Sequence, residues 1–466
     1  MKMKNSMQHI RYVYLLGIGG IGMSALARYF KADGKVVSGY DKTPTPLTQN
    51  LSDEGIEIHF EDDVNRIPVA VRNVDNKSQV LVILTPAVPA DHSELAFFKS
   101  NGYEIAKRSK VLGMLTADHF TLAVAGTHGK TTTSTLLAHI LHSAGLNCSA
   151  FLGGISTNFG SNLLIGDSSK PDHKVVVEAD EFDRSFLTLF PDLAIITSMD
   201  ADHLDIYGDP NEMQNTYRAF AAQVKPDGML LHKKGLEVGN TACRRLTYSI
   251  KENESADFKG ENIRVENGAY KFTLETPSLK IEGLTLGLPG RHNVENAVAA
   301  SGLALECGVK PSYLKVALAS FKGAQRRFEV HVKNEDVVYI DDYAHHPEEL
   351  RAAISSAREL FPDKKIAGIF QPHLYSRTRD FADGFAESLS LLDTLYMIEL
   401  YPAREKPIPG VDSQMILDKV SIADKQLLSR EDLLIKLKSE KPQVLLTLGA
   451  GDIDQLVKPI AQILSV

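Results

Sequence analysis

The chain has 466 residues, enough for two to four domains with sizeable cores. Its 43% apolar and 24% charged content is ordinary for a globular protein, and a formal net charge of −8 excludes a nucleic-acid binder that works through a basic surface. Three scattered cysteines, Cys148, Cys243 and Cys307, lack metal or redox spacing and suit a reducing cytosol. Residues 1–14 hold no uninterrupted apolar stretch with a cleavage site, and no apolar run is long enough to cross a bilayer. A cytoplasmic protein without membrane insertion is expected.

Residues 12–17 read as a buried strand, followed by Gly17-Ile-Gly19-Gly20-Ile-Gly22 and a helix over residues 23–31. Residues 36–41 form a second strand that ends in Asp41. This is the dinucleotide fingerprint: the glycines admit a diphosphate to the backbone, and the acid is placed for a ribose hydroxyl. A third strand over 80–85 ends at Thr85 and opens into a Pro-Ala-Val-Pro loop, at an edge where ligands bind.

An apolar run over 121–125 ends in the tight loop Gly126-Thr127-His128-Gly129. Lys130, Thr131 and Thr132 then open a helical pattern carried by Leu136, Leu137, Ile140 and Leu141, with Gly145 at its stop. A strand, loop and helix in this order aim N–H groups and a helix N-terminus at one point, which draws a polyphosphate. Lys130 adds charge at the β/γ-phosphates and the Thr131 hydroxyl suits Mg²⁺. Val124 stands where the long P-loop pattern has glycine, so the short form is present. Two further apolar strands release acids, one at Glu178, Asp180, Glu181 and Asp183, the other at Asp200, Asp202, His203 and Asp205. In a parallel sheet those ends lie beside the P-loop, where Glu178 and His203 could complete Mg²⁺ coordination.

Short alternating runs at 246–250, 263–265, 270–274 and 279–284 predict an antiparallel patch. Asn293 and Asn296 stand one turn apart at the start of an Ala-rich helix. They either cap it or reach a base edge, and spacing leaves both open. Beyond residues 323–327, three strands lead into polar loops: one carries Asp341, Asp342, Tyr343, His345 and His346, one His373, Arg377 and Arg379, and one Gly451 and Asp452. Strands alternating with helices imply another α/β domain with a parallel core. Its Arg and His side chains suit carboxylates and phosphates, with one of Arg377 and Arg379 expected to be merely solvated. The expected fold is α/β in three domains. Residues 1–116 are Rossmann-like, 117–324 form a P-loop ATPase-type parallel sheet with a small antiparallel patch, and 325–466 are again Rossmann-like.

Gly-Thr-His-Gly-Lys-Thr-Thr-Thr, Glu-Ala-Asp-Glu, Ala-Asp-His, Gly-Arg-His-Asn-Val-Glu-Asn-Ala, Arg-Arg-Phe-Glu and Asp-Asp-Tyr-Ala-His-His-Pro follow one another here. In those motifs and their order the chain resembles the Mur ligases over essentially its whole length. These are ATP-dependent, peptide-bond-forming enzymes of peptidoglycan precursor synthesis, and so of cell wall biogenesis, cell shape and division. Gly-Ile-Gly-Gly-Ile-Gly-Met-Ser and Gln-Pro-His-Leu-Tyr-Ser-Arg-Thr-Arg-Asp look like the branch that takes UDP-N-acetylmuramate and L-alanine.

The resemblance implies that Gly17, Gly19, Gly20, Gly22, Asp41 and Thr85 hold a UDP-sugar and not NAD. It implies a lactyl carboxylate that attacks the ATP γ-phosphate and an acyl phosphate taken up by the alanine amine. Gly126, Thr127, His128, Gly129, Lys130, Thr131 and Thr132 would cradle the nucleotide, and Lys130 would act at the β/γ-phosphates. Thr131 and Glu178 would hold one Mg²⁺ or Mn²⁺, and His203 would help hold a second. Asn293 and Asn296 match adenine contacts, and Arg327, Asp342 and Tyr343 match nucleotide contacts, with His345 beside the chemistry. His373 and Arg377 would orient alanine, Arg377 through its carboxylate. Ligands on separate domains imply hinge closure. The expected partners are these small molecules and no nucleic acid, in a monomer or weak homodimer. Two rivals use the same features differently: a recycling ligase of the family that attaches a preformed tripeptide, and an NAD-binding oxidoreductase or regulator built on the first glycine loop. A P-loop kinase or transport ATPase is a third.

Overall fold

The structure, a computed structural model, describes residues 7–117, 119–200, 207, 209–403 and 405–465. The fold is mixed α/β, and the chain forms two compact units. The first comprises Met1–Lys259, Glu275–Leu279 and Ala297–Ala317; the second comprises Gly260–Leu274, Lys280–Asn296 and Leu318–Val466.

The first unit opens with a five-stranded sheet of β1 (Tyr12–Leu16), β2 (Val36–Tyr40), β3 (Glu57–His59), β4 (Val80–Leu84) and β5 (Glu104–Lys107), all parallel. The order β3-β2-β1-β4-β5 puts a switch point between β1 and β4, at the carboxyl end of β1 where the glycine loop begins. Alternate residues of β1 go to opposite faces. Val13 and Leu15 pack with Leu26 and Phe30, and Tyr14 and Leu16 pack with Val80, Val82 and Phe98. Neither face is left to water, which is why these strands read as continuous apolar runs. The helix Ile21–Ala32 begins two residues earlier than its periodicity indicates.

The same unit holds a second sheet of β6 (Phe120–Ala125), β7 (Cys148–Ser156), β8 (Ser161–Leu164), β9 (Lys174–Glu178), β10 (Leu193–Ile196), β11 (Met229–Lys233) and β12 (Arg244–Ser249), in the order β12-β11-β10-β6-β9-β7-β8. β6 is central, parallel to β9 and β10, so their carboxyl ends converge with its own. One expectation needs correcting here. The run at 246–250 is not the start of an antiparallel patch, because β12 is parallel to β11 and continues the main sheet. Strand alternation reports a half-buried face and carries no direction. An antiparallel pair that the runs did not indicate joins β7 to β8.

In the second unit β13 (Phe258–Glu266), which starts in the first, is followed by β14 (Ala269–Glu275) and β15 (Lys280–Leu286) as successive neighbours. Asn267 and Gly268, both at positive φ, make the two-residue turn between β13 and β14. The third sheet has β16 (Glu329–Lys333), β17 (Val338–Asp342), β18 (Ile366–Phe370), β19 (Thr394–Met397), β20 (Lys425–Leu427) and β21 (Val444–Leu448), ordered β16-β17-β21-β18-β19-β20. It is parallel apart from β16, an antiparallel edge strand. Ile340, Phe370 and Leu446 bury on one face, and Tyr339, Ile369 and Leu445 on the other.

Candidate active site

The loop after β6 is shaped by two glycines. Gly126 (φ +135°) admits no side chain, since a Cβ there would run into Thr197 Oγ1, and Gly129 (φ +81°) turns the chain into the helix Lys130–Ser143. Neighbouring strands brace the loop: Ser198 Oγ accepts from His128 N (2.8 Å), and Thr127 Oγ1 donates to the Asp200 carbonyl (2.9 Å). No side chain caps the helix, so its first N–H groups face the loop's concavity, the arrangement that binds phosphate.

Lys130 is folded back in this structure. Its Nζ donates to the carbonyls of Gly126 (2.7 Å) and Thr127 (3.2 Å) and to Glu181 Oε1 (2.8 Å). Burial works against the ammonium, but Glu181, Glu178 and Asp180 outweigh it and hold the lysine above its usual pKa. Glu181 is 1% exposed, and burial pushes its carboxyl up to about 7 despite the lysine. Glu178 has its own set of partners. Thr131 Oγ1 donates to Oε1 (3.0 Å), and Gly153 N (2.8 Å) and Ser134 Oγ (3.4 Å) donate to Oε2. A Cβ at Gly153 would collide with that carboxylate. Hydroxyl and carboxylate oxygens side by side are hard donors of the kind Mg²⁺ takes.

In the first sheet, Asp41 Oδ2 accepts from Gly19 N (2.7 Å), and a Cβ at Gly19 would strike that carboxylate. Thr85 lies against Gly17, which also has room for hydrogen only.

The second unit gathers another polar cluster. Asp342, at the end of β17, accepts from Phe328 N (2.7 Å) and Ala344 N (2.8 Å), and burial pushes its carboxyl up to about 7 against the influence of Arg327. Two guanidinium groups lie over the Tyr343 ring, Arg326 at 5.2 Å and Arg327 at 5.0 Å. Arg326 (φ +60°) and Phe328 (φ +51°) hold left-handed backbone without being glycine, a strain that clusters at functional sites. His345 sits 5.2 Å from the Tyr343 ring and 6.4 Å from that of His373, which stacks on Tyr401 at 5.8 Å. Leu374 (φ +70°) turns the chain into the short helix Tyr375–Asp380, where Arg377 is buried and Arg379 is exposed on Asp380. His292 is half-buried with its Nδ1 3.2 Å from Ser356 Oγ, and desolvation pulls its pKa down to about 4.

Three family models match in succession: "Mur ligase family, catalytic domain" over residues 12–120, "Mur ligase middle domain" over 124–304 and "Mur ligase, glutamate ligase domain" over 326–451. A UDP-N-acetylmuramate–L-alanine ligase of Porphyromonas gingivalis W83 is 52% identical over 459 residues, covering 98% of this chain and 99% of its own. One from Parabacteroides distasonis is 51% identical over 455 residues, 97% of each chain. The chain belongs to the Mur ligase family. Among solved structures, a UDP-N-acetylmuramate-alanine ligase from Thermotoga maritima superposes with a TM-score of 0.78 at 27% identity, covering 97% of this chain and 98% of that one.

Within this Mur ligase the structure brings together Gly126, Thr127, His128, Gly129, Lys130, Thr131, Thr132 and Glu178 at one loop, and Arg327, Asp342, Tyr343, His345 and His373 around another. His203, with Asp202 and Asp205, lies outside the described residues. Asn293 and Asn296 do not cap their helix. It begins at Arg291, so both stand inside it and are buried, with Asn293 Nδ2 donating to the Pro289 carbonyl and Asn296 Nδ2 to Asn293 Oδ1. The sequence reading named Glu181 within the acid run and Arg326 within the Arg-Arg-Phe-Glu motif without giving either a role, and it left out Gly153. Glu181 carried a signal, since it shares the acid run with Glu178. Gly153 carried none beyond its type. Among the described residues, no helix is long and apolar enough to cross a membrane.

Proposed function

We propose that this chain joins L-alanine to the lactyl carboxylate of UDP-N-acetylmuramate with conversion of ATP to ADP and phosphate, a step in peptidoglycan precursor synthesis. One observation carries the reading: the Gly126–Gly129 turn sets a half-buried lysine and an uncapped helix beside a Thr131–Glu178 oxygen pair, in a chain about half identical to two such ligases over nearly its full length.

Two anions must meet for the reaction to start, so the site has to neutralise both. We assign the triphosphate to the loop N–H groups and Lys130, which would exchange Glu181 and the loop carbonyls for phosphate oxygens. Thr131 and Glu178 fit Mg²⁺, which when bound supplies charge stabilisation at the phosphates. The lactyl carboxylate then attacks the γ-phosphorus, ADP leaves, and the alanine amine displaces phosphate from the acyl phosphate. The chain's own part is orientation and charge: loop amides and Lys130 hold the leaving diphosphate, and Arg377 is assigned the alanine carboxylate. Asn293 and Asn296 are assigned to adenine, and Arg327, Asp342 and Tyr343 to the rest of the nucleotide, with His345 and His373 at the amino-acid end. The glycine loop with Asp41 and Thr85 is assigned to the UDP moiety. The corresponding domains are 1–116, 117–324 and 325–466.

The test is ADP release from ATP and Mg²⁺ with UDP-N-acetylmuramate and L-alanine. Release that needs both co-substrates, with an amide product, is expected. Silence with alanine but turnover with the tripeptide would move the chain to the recycling branch, and no ADP with either would end the reading.

A further inference from the structure

Arg108 is a basic side chain with no role in the steps above. It opens the helix Arg108–Ala117 directly after β5, and its guanidinium lies across Gly22 at the start of the helix that follows the first glycine loop. A Cβ at Gly22 would collide with Arg108 Nη1, so this glycine is needed for the guanidinium's approach. Nη2 donates to Asp180 Oδ2 at 3.1 Å, two residues past Glu178. A cavity of about 180 Å³ lies among these groups. Ala25, Leu26, Leu112 and Phe151 form its apolar wall, and its lining includes both Gly22 and Glu178. Among the described residues, Arg108 is the one base in that lining, against two acids, Glu178 and Asp180.

An anion entering such a chamber meets two carboxylates and needs a cation to receive it. The Arg108–Asp180 pair is a weak holder, since both side chains are partly exposed and such pairs contribute little. A guanidinium grips a phosphate or carboxylate through two parallel hydrogen bonds, and so prefers a fixed, desolvated oxyanion to a solvated aspartate. We propose that Arg108 is a substrate-binding residue that gives up Asp180 for an oxyanion of the sugar nucleotide, and that the cavity between Gly22 and Glu178 receives the part of the substrate bearing it. The inference rests on the assignment of UDP-N-acetylmuramate to this unit. Two oxyanions of that molecule have the required chemistry, the diphosphate and the lactyl carboxylate.

Equilibrium binding to the full chain separates them. UDP-N-acetylmuramate carries both groups, and UDP-N-acetylglucosamine carries only the diphosphate. Arg108→Ala and the bulk-preserving Arg108→Gln are expected to weaken UDP-N-acetylmuramate roughly 10–100-fold, with Arg108→Lys recovering part of the loss and ATP affinity unchanged. Equal weakening of both nucleotides places the diphosphate on Arg108, and weakening of the muramyl nucleotide alone places the carboxylate there. Unchanged affinity for both in Arg108→Gln would overturn the proposal and leave Arg108 as a structural tie to Asp180. Wild-type chain that binds neither nucleotide would instead defeat the assignment on which the inference rests.

Discussion

Lys130 Nζ lies 2.8 Å from Glu181 Oε1 while two carbonyls of its own loop hold it from the other side. The cation assigned to the triphosphate thus has three partners within the chain, and a phosphate must compete with a buried carboxylate for it. This keeps a half-buried lysine charged, while Glu181 Oε2 stays buried with no hydrogen-bond partner among the described residues. It also makes Glu181 dependent on its partner.

Lys130→Met, which keeps the bulk and removes the charge, should therefore do two separable things. Turnover should fall roughly 10²–10³-fold or more, as when a donor to developing phosphate charge is removed. Stability should become more dependent on pH. Glu181 is held above its unfolded pKa, so the stability linked to its proton is complete below about 4.3 and is lost as pH rises through about 7. Without the lysine, that loss should deepen by about 3–5 kcal/mol at pH 8 and hardly at all at pH 5. Urea denaturation at the two pH values measures it, and parallel losses would show that the pair does not matter to folding.

Gly153→Ala tests the Thr131–Glu178 pair without touching either residue. The new methyl has no room beside the Glu178 carboxylate and must displace it. The Mg²⁺ concentration that gives half-maximal ADP release should rise about 10–100-fold, the usual cost of disturbing a group that orients a metal ligand. A normal Mg²⁺ requirement would remove Glu178 from the metal site.

How much of this was legible in the sequence depends on the range of the interaction. The glycine loops, the Lys130 helix and the Asp342 loop are local: a strand's apolar run, a turn that only glycine can make and a helical repeat each lie within about twenty residues. The fold class follows from the same signals. What β12 pairs with, and in which direction, is decided by β11 and not by its own alternation. Whether Asn293 caps a helix turns on where the helix begins, a matter of one or two residues. The Arg108–Asp180 contact spans 72 residues and two sheets, and nothing in either neighbourhood announces it.

Arg377 and Arg379 are two residues apart; the family resemblance singles out Arg377, but their spacing alone does not rank them. The structure does: Arg377 is buried, and Arg379 is exposed on Asp380. Arg377→Ala should raise KM for L-alanine about 10–100-fold, in line with a lost charge-assisted bond of about 1.5–3 kcal/mol. Arg379→Ala should leave KM within twofold. Steady-state kinetics at saturating ATP and UDP-sugar decides it, and the reverse ranking would place the carboxylate contact on the exposed arginine.

Beneath the first sheet Glu94 is fully buried, accepting from the Tyr14 hydroxyl at 2.7 Å, with His59 Nε2 3.4 Å from its other oxygen and Asp62 and His92 close by. Burial lifts its carboxyl to about 7, assisted by Asp62 and opposed by the Tyr14 bond, while burial lowers the pKa of both His59 and His92 and disfavours the cations that would offset it. The sign follows from the direction. A carboxyl raised in the folded state gives stability that is complete below about 4.3 and lost as pH climbs through about 7. Glu94→Gln can keep a partner for Tyr14 and never charges, so it should gain on the wild type as pH rises. The difference in unfolding free energy between variant and wild type should move in the variant's favour by about 2–3 kcal/mol between pH 5 and pH 8. Chemical denaturation at both pH values reads it. Curves that stay parallel would mean that Glu94 is already ionised at pH 5 and that the hydroxyl and imidazole carry its charge unaided.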